Sequence, residues 1–484
     1  MGRRKKNITL ESIELLRAGA KGKSIGQAPD GKVVMVSGAV PGDVVDVLVT
    51  KKKRNFYEGR PTAFHTYSPF RVDATCKHFG VCGGCKWQNL DYQKQLDFKE
   101  TEVLDHLKRI GHIELPETTP ILGSEEIFNY RNKLEFSFSS QRWLSPEEMA
   151  SDETFDDRRA LGFHIPGMWD KILDIDQCHL QPSPSNELRN ELRRFTLEKN
   201  FEYFNPYEQT GLLRTMMIRT ATTGEVMLAI QFGEADESRE GVAEQERIAV
   251  LEHMKSTFPE LTSLLWTTNT KGNDSWYDLD VQCYSGRMYL WEEMPKFEGD
   301  KEPLRFKIGP KTFYQTNPVQ AFHLYEKARA MADLKGDELV YDLYTGTGTI
   351  AQFVAHQAKH VVGIESVEES ILAARENAVN NKIDNVSFHV GDMRNILTDE
   401  FIDEHGRPDV VITDPPRDGM HPKVVDTLIR TAPEKIVYVS CNSATQARDL
   451  ALLSEWYDVV QVQPVDMFPH THHVENIVSL IRKS

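Results

Sequence analysis

Two side chains in this 484-residue chain have the types and surroundings for covalent catalysis. Cys441 closes the run I-V-Y-V-S-C-N-S (436–443), just past four β-prone residues and a serine. Glu475 ends F-P-H-T-H-H-V-E (468–475), just before another apolar segment. A cysteine at a strand end is either a small packing residue or a nucleophile, and the second role needs a separate general base. Glu475 is the candidate base. His470, His472 and His473 read as a loop that orients it and contacts substrate, not as a metal site.

These residues need a sheet edge to hold them. Candidate strands at 338–344, 360–365, 386–390, 409–414 and 435–440 alternate with helical stretches such as 348–358 and 367–380. This rhythm of apolar strands and helices predicts a parallel sheet covered on both faces. Segments 457–466 and 476–482 are expected to form a closing hairpin around the loop carrying His470–Glu475. D-L-Y-T-G-T-G-T-I (342–350) follows the first strand and opens a helix, so its backbone can approach a ligand closely. Glu365 ends the next strand, placed to accept ribose hydroxyls; Asp392 ends the third, within reach of an adenine; Asp414 ends the fourth, in D-P-P-R. A dinucleotide site would want a third glycine where Ile350 and Ala351 stand. The acid series Asp342, Glu365, Asp392 and Asp414 instead resembles class I S-adenosylmethionine methyltransferases.

A cysteine nucleophile beside such a pocket suits one acceptor class. C5 of uracil is a poor nucleophile until a thiolate adds to C6, and a base must then remove the C5 proton so that the enzyme is released. The set Y-Q-T-N (314–317), D-L-Y-T-G-T-G-T, D-P-P-R-D-G (414–419), S-C-N (440–442) and H-T-H-H-V-E resembles the RNA (uracil-5-)-methyltransferases over about 310–484. The resemblance implies that Cys441 attacks C6 and that Glu475 is the C5 base. It implies cofactor contacts from Gln315, Tyr344, Glu365 and Asp414, with Arg417 shaping the substrate side. Two positions depart from the family pattern: Thr345 stands where cysteine is common, and Ser443 where proline is usual.

The rest of the chain reads as RNA-gripping additions. Residues 8–60 show short strands with Asp30-Gly31 and Pro41-Gly42-Asp43 turns, the pattern of a small filled barrel. Lys51, Lys52, Lys53 and Arg54 beside Phe56 and Tyr57 suit phosphate contact and base stacking. D-G-K-V-V-M-V-S-G-A-V-P-G-D (30–43) resembles a TRAM domain. Residues 1–60 hold 13 Lys and Arg against 6 Asp and Glu, whereas the whole chain has a net charge of −16. A basic module on an acidic body suggests a polyanionic partner. Acidic stretches at 147–157 and 234–246 are expected to be solvent-facing loops that avoid nucleic acid. C-K-H-F-G-V-C-G-G-C (76–85), with Cys178 downstream, could ligate an iron–sulfur cluster or structural zinc, and the spacing leaves both open. Relatives with this segment carry a [4Fe–4S] cluster, so the resemblance implies one on Cys76, Cys82, Cys85 and Cys178. Cys283 has no partner in this scheme and is expected in a core, and a helical stretch is expected at 91–110, after the cysteine cluster.

The expected architecture is therefore α/β. It comprises a TRAM-like, OB-type barrel (1–62), a mixed α+β central iron–sulfur domain (63–310) and a Rossmann-like class I methyltransferase domain (311–484). The expected activity is S-adenosylmethionine-dependent methylation of a uridine C5 in RNA, with 23S rRNA as substrate because the barrel and cluster occur together. The alternatives are a tRNA uridine-54 C5 methyltransferase, a cytosine-5 methyltransferase and a non-catalytic RNA-binding or assembly protein. No apolar run approaches the ~20 residues that span a bilayer, no signal-peptide core follows the basic start, and six scattered cysteines suit a reducing compartment. A cytoplasmic monomer is expected.

Overall fold

The computed structural model describes residues 8–116, 118–233 and 240–484. The basic cluster that opens the chain and the start of the 234–246 acidic run lie outside them. Five strands, of which the third and fourth are valine-rich, close a barrel: β1 (Ile8–Gly19), β2 (Lys23–Gln27), β3 (Val33–Val36), β4 (Val44–Lys52) and β5 (Phe56–Thr66). Alternate side chains point inward, so Ile13, Leu15, Val34, Val36, Val45 and Val47 fill its centre. Asp43, in the turn before β4, is buried; it accepts the Val40 and Ser68 N–H groups at 2.8 and 2.9 Å and forks with Arg71 at 2.8 and 2.6 Å. That charge-assisted knot ties the barrel to the segment carrying the cysteines.

The helix expected over 91–110 is α1 (Tyr92–Arg109), capped by the Asp91 side chain on the Lys94 N–H at 3.2 Å. Its buried stripe is Gln95, Leu96, Lys99, Val103 and Leu107. A lysine in that stripe requires a buried partner. Lys99 Nζ meets Asp466 Oδ1 at 2.7 Å with neither side chain exposed, and the Tyr92 hydroxyl donates to Asp466 Oδ2 at 3.0 Å. The helix from the amino-terminal third is thereby fastened to a loop near the carboxyl end.

A seven-stranded, mostly antiparallel sheet follows, ordered β12-β11-β10-β9-β6-β7-β8. Its strands are β6 (Lys133–Ser139), β7 (Ala160–His164), β8 (Ile172–Asp174), β9 (Leu213–Thr220), β10 (Val226–Gly233), β11 (Ser263–Asn269) and β12 (Gln282–Gly286). A short α2 (Pro146–Ala150) lies in the acidic 147–157 stretch, while α3 (Ser185–Glu198) and α4 (Glu240–Thr257) pack onto the sheet through Leu188, Leu192, Val250 and Met254. Cys283 departs from the core expectation: it is exposed on the edge strand β12. A hairpin, β13 (Leu290–Met294) and β14 (Leu304–Ile308), then sends Phe306 into the core of the last sheet.

That sheet has order β17-β16-β15-β18-β19-β21-β20. In chain order come α5 (Pro318–Ala332), β15 (Leu339–Leu343), α6 (Thr349–Val354), β16 (His360–Glu365), α7 (Glu368–Asn380), β17 (Val386–Val390), α8 (Met393–Ile396), α9 (Asp399–His405), β18 (Val410–Thr413), α10 (Pro422–Thr431), β19 (Lys435–Ser440), α11 (Ser443–Leu453), β20 (Tyr457–Val465) and β21 (Glu475–Arg482). β15 to β19 are parallel; all but the edge strand β17 are buried on both faces, which explains their Val- and Ile-rich runs. The expected closing hairpin is β20 with β21, and β21 also inserts antiparallel beside β19. Among the described residues, no helix is long and apolar enough to cross a membrane.

The Lys99–Asp466 pair gives a direct test. Lys99→Ala strands a buried carboxylate, so urea unfolding should show a loss of roughly 3–5 kcal/mol; a loss below about 1 kcal/mol, the range of an exposed pair, would refute its structural weight.

Candidate active site

The order of the last sheet reverses between β15 and β18, and ligands bind at such a switch point beyond the carboxyl ends of the strands. Both candidate reacting groups lie at this edge. β19 and β21 are antiparallel with Ser440 opposite Asn476, so the residues just beyond, Cys441 and Glu475, leave the ladder together. Burial, then the negative charges of Glu475 and Asp414, push the Cys441 thiol up to about 11; Arg417, whose side chain faces it, opposes them. Burial also raises the Glu475 carboxyl to about 8, with Asp414 adding to the effect and Arg417 again opposing. Burial takes Asp414 to about 7. The loop after β18 is fastened to the one carrying Cys441, since the Arg417 carbonyl accepts Asn442 Nδ2 at 2.9 Å and the Thr445 hydroxyl at 3.0 Å.

The glycine turn lies on the other side of the switch point. Tyr344, Gly346 and Gly348 take left-handed φ values of 64°, 55° and 74°. A Cβ placed on Gly346 would meet nothing within 4 Å, so the backbone there faces open space. On Gly348 it would lie 2.7 Å from Phe388 Cζ, and the turn could not seat against β17. Glu365 accepts N–H bonds from Ser366 at 2.7 Å, Val367 at 3.0 Å and Gly346 at 3.3 Å, which orients its carboxylate toward the turn. Asp342 is fully buried, accepts the Thr345 hydroxyl and the Ala351 N–H, and is raised by burial to about 7. Thr345 thus supplies the donor that Asp342 uses to shape the turn. Gln315 precedes α5, its carbonyl held by Asn132 Nδ2 at 3.0 Å. Asp392 lies just beyond β17, where it caps α8 through the Arg394 N–H at 2.9 Å and pairs with the Arg394 guanidinium.

Comparison with known proteins places this geometry. A tRNA (uracil-5-)-methyltransferase family model matches residues 289–483, and a TRAM domain model matches 11–62. An uncharacterized RNA methyltransferase of Bacteroides thetaiotaomicron is 51% identical, covering 95% of this chain and 99% of its own length. A second, from Porphyromonas gingivalis, is 52% identical over 98% of this chain and 100% of its own. The chain belongs to the RNA (uracil-5-)-methyltransferase family. Among solved structures, the Pyrococcus abyssi tRNA (uracil-54, C5)-methyltransferase, in complex with S-adenosyl-L-homocysteine, is 28% identical with a TM-score of 0.71, covering 97% of this chain and 100% of that one.

The methyltransferase holds its Glu475 loop from outside the last sheet. The His470 carbonyl accepts N–H bonds from Lys86 at 2.8 Å and Trp87 at 3.1 Å, and Gln95 Oε1 accepts the His470 N–H at 2.9 Å. Tyr130 donates its hydroxyl to the Pro469 carbonyl at 3.0 Å, and Phe128 packs on the His470 ring. Burial, reinforced by nearby cations, lowers all three loop histidines to about 4, so they are neutral at pH 7.

Cys76, Cys82, Cys85 and Cys178 line one cavity of about 790 Å³ with Gly83, Gly84 and Trp169. The Cys85 sulfur accepts Gln88 Nε2 at 3.2 Å, and Gln88 Oε1 accepts the Cys76 N–H at 3.0 Å. Burial raises the Cys82, Cys85 and Cys178 thiols, Cys85 to about 12. Among the described residues, no three Cys, His, Asp or Glu side chains close on a point that would hold a single metal ion.

Sequence reasoning missed several residues of this site. Tyr325, buried on α5, hydrogen-bonds Gln315 and senses Asp414, Asp342 and Glu475; nothing in its helical spacing marked it. Lys99 had a usable signal, a cation inside an apolar stripe. The raised carboxyl of Glu475 also carries a stability signature. The folded form keeps a proton that the unfolded chain releases above about pH 4.5, so the group's contribution is lost as pH rises toward 8. Glu475→Gln should melt a few degrees above the parent at pH 8.5 and level with it at pH 4.5; equal melting at both values in calorimetry would contradict the buried, neutral carboxyl.

Proposed function

We propose that this methyltransferase methylates C5 of a uridine in RNA with S-adenosylmethionine as donor, 23S rRNA being the favoured substrate. The observation that carries the reading is the Cys441–Glu475 pair, set side by side by the register of β19 and β21 next to an open glycine turn. The Cys441 thiolate adds to C6 of uracil, the C5=C6 pair moves toward the ring carbonyl, and the Arg417 cation favours the thiolate form of the attacking thiol. Bound S-adenosylmethionine supplies an electrophilic methyl group to C5. Glu475 then takes the C5 proton, the electron pair rebuilds C5=C6, and the Cys441 thiolate leaves.

Gln315, Tyr344, Glu365 and Asp414 would hold the donor: the space over Gly346 is open, and Glu365 is oriented at its edge. The target base must leave its stack to reach Cys441. Exposed Lys51, Lys52, Lys53 and Arg54 on the barrel suit the surrounding RNA backbone. Cys76, Cys82, Cys85 and Cys178 would hold a [4Fe–4S] cluster of structural role. Four thiols lining one cavity supply the ligand number that either a cluster or one zinc ion takes, and the family resemblance of the cysteine segment favours the cluster. The pairing of this segment with a TRAM barrel favours 23S rRNA. The match to a tRNA (uracil-54, C5)-methyltransferase over 97% of the chain supports tRNA as the second reading.

The decisive experiment uses 5-fluorouridine RNA, which cannot lose its C5 substituent. With S-adenosylmethionine, a 23S rRNA fragment should trap a covalent adduct that disappears in Cys441→Ala. Glu475→Gln should accumulate adduct on ordinary RNA. An adduct with tRNA alone would select the second reading, and none with either would reject both. Iron and sulfide in equal amounts, four of each per chain, are expected in anaerobically purified protein; zinc without iron would reject the cluster. Because Glu475 must ionise to take the C5 proton, release of the methylated adduct, timed separately from its formation, should quicken between about pH 7 and 9; a flat profile for that step would exclude it as the base.

A further inference from the structure

Both reacting loops are gripped by one helix that is not part of the sheet bearing them. Near its carboxyl end, α1 presents His106, whose Nδ1 is hydrogen-bonded to Ser443 Oγ at 2.8 Å. Ser443 is buried and is the first residue of α11, two positions after Cys441. One and a half turns or more toward its start, the same helix holds the approach to Glu475. Lys99 and Tyr92 bind the two Asp466 oxygens, Lys99 Nζ also donates to the Phe468 carbonyl at 3.1 Å, and Gln95 brackets His470 through its backbone N–H and its ring. α1 packs along α11 and touches β20, so these bonds sit within a continuous contact.

We infer that α1 is a strut that fixes the separation of nucleophile and base, with His106 the positioning residue at the Cys441 end and Gln95 at the Glu475 end. A helix suits this task because its backbone bonds are internal and its length is set by a 1.5 Å rise per residue. A misplacement of about 1 Å can cost up to a hundredfold in rate. Ser443 makes the contact specific: it is the first residue of α11, and its hydroxyl joins the Cys441 loop, held on its other side by the Arg417 carbonyl, to α1. The kinetic consequence rests on the uridine methylation reading, whereas the structural one does not.

Two measurements test it. In His106→Ala, amide hydrogen exchange in peptides covering 441–447 should quicken by roughly tenfold while the core strands stay protected. Adding Ser443→Pro should restore slow exchange, because proline suits the first helical position and stiffens the loop without His106. In turnover, His106→Ala should lower kcat roughly tenfold at unchanged KM for RNA, and the double variant should regain most of it. Gln95→Ala should slow release on ordinary RNA more than it slows adduct formation on 5-fluorouridine RNA, since only release needs the base. Parental exchange in His106→Ala, or no recovery in the double variant, would overturn the strut. If the unsubstituted protein forms no adduct, the methylation reading falls, and the exchange results still decide the strut.

Discussion

The site depends on one strand running against its neighbours. β21 enters between β19 and β20 antiparallel to β19, so its first residue lies at the edge where β19 ends. A parallel β21 would put Glu475 beside Lys435 instead, five residue steps or about 17 Å away. No side-chain adjustment spans that distance. Val437, Val439 and Ile477 pack into the core on one face of the sheet and Ile436, Tyr438, Val478 and Leu480 into the core on the other, so a register shift would have to repack both. Hydrophobic register therefore sets the juxtaposition of a thiol and a carboxyl that are themselves polar.

A second constraint joins the ends of the chain. The Lys99–Asp466 pair is costly to desolvate, and its value is less in net stability than in excluding alternatives: any other docking of α1 buries an unpaired charge. The barrel meets the same region. Gly22 lets the β1–β2 turn approach so closely that a Cβ there would lie 3.1 Å from Lys86 Cβ and 3.4 Å from His472 Cβ, and its carbonyl accepts Trp87 Nε1 at 3.3 Å. The barrel, the cysteine segment and the loop before Glu475 thus share one junction.

The crevice itself is electrostatically unbalanced. Asp342, Asp414 and Glu475 are all raised, burial first and mutual repulsion second where it applies, while Arg417 is the opposing cation named for both reacting groups. A site with surplus carboxyl and little countercharge favours a positively charged ligand, which the proposed sulfonium donor is. The same ligand would draw these groups toward ionisation, preparing Glu475 for its step as the donor arrives.

Local pattern carried much of this protein in its sequence. The five parallel strands, the glycine turn, the strand-end acids and the helix at 91–110 follow from apolar periodicity and turn chemistry, which neighbouring residues specify. Cys441 and Glu475 were legible as types in suggestive places. Their adjacency was not, because 34 residues separate them and strand order depends on which buried faces match across the whole sheet. Asp392 could be read as a strand-end acid, but its cap on α8 and its pair with Arg394 appear only in the folded loop. Cys283 looked like core until β12 proved to be an edge. His106 and Ser443 carry no mutual signal along the chain, since a contact across 337 positions exists only once α1 has docked. Periodicity and turns are local energies, so the sequence alone determined the elements; partner choice among distant polar groups is settled by burial, and only the tertiary structure decided it.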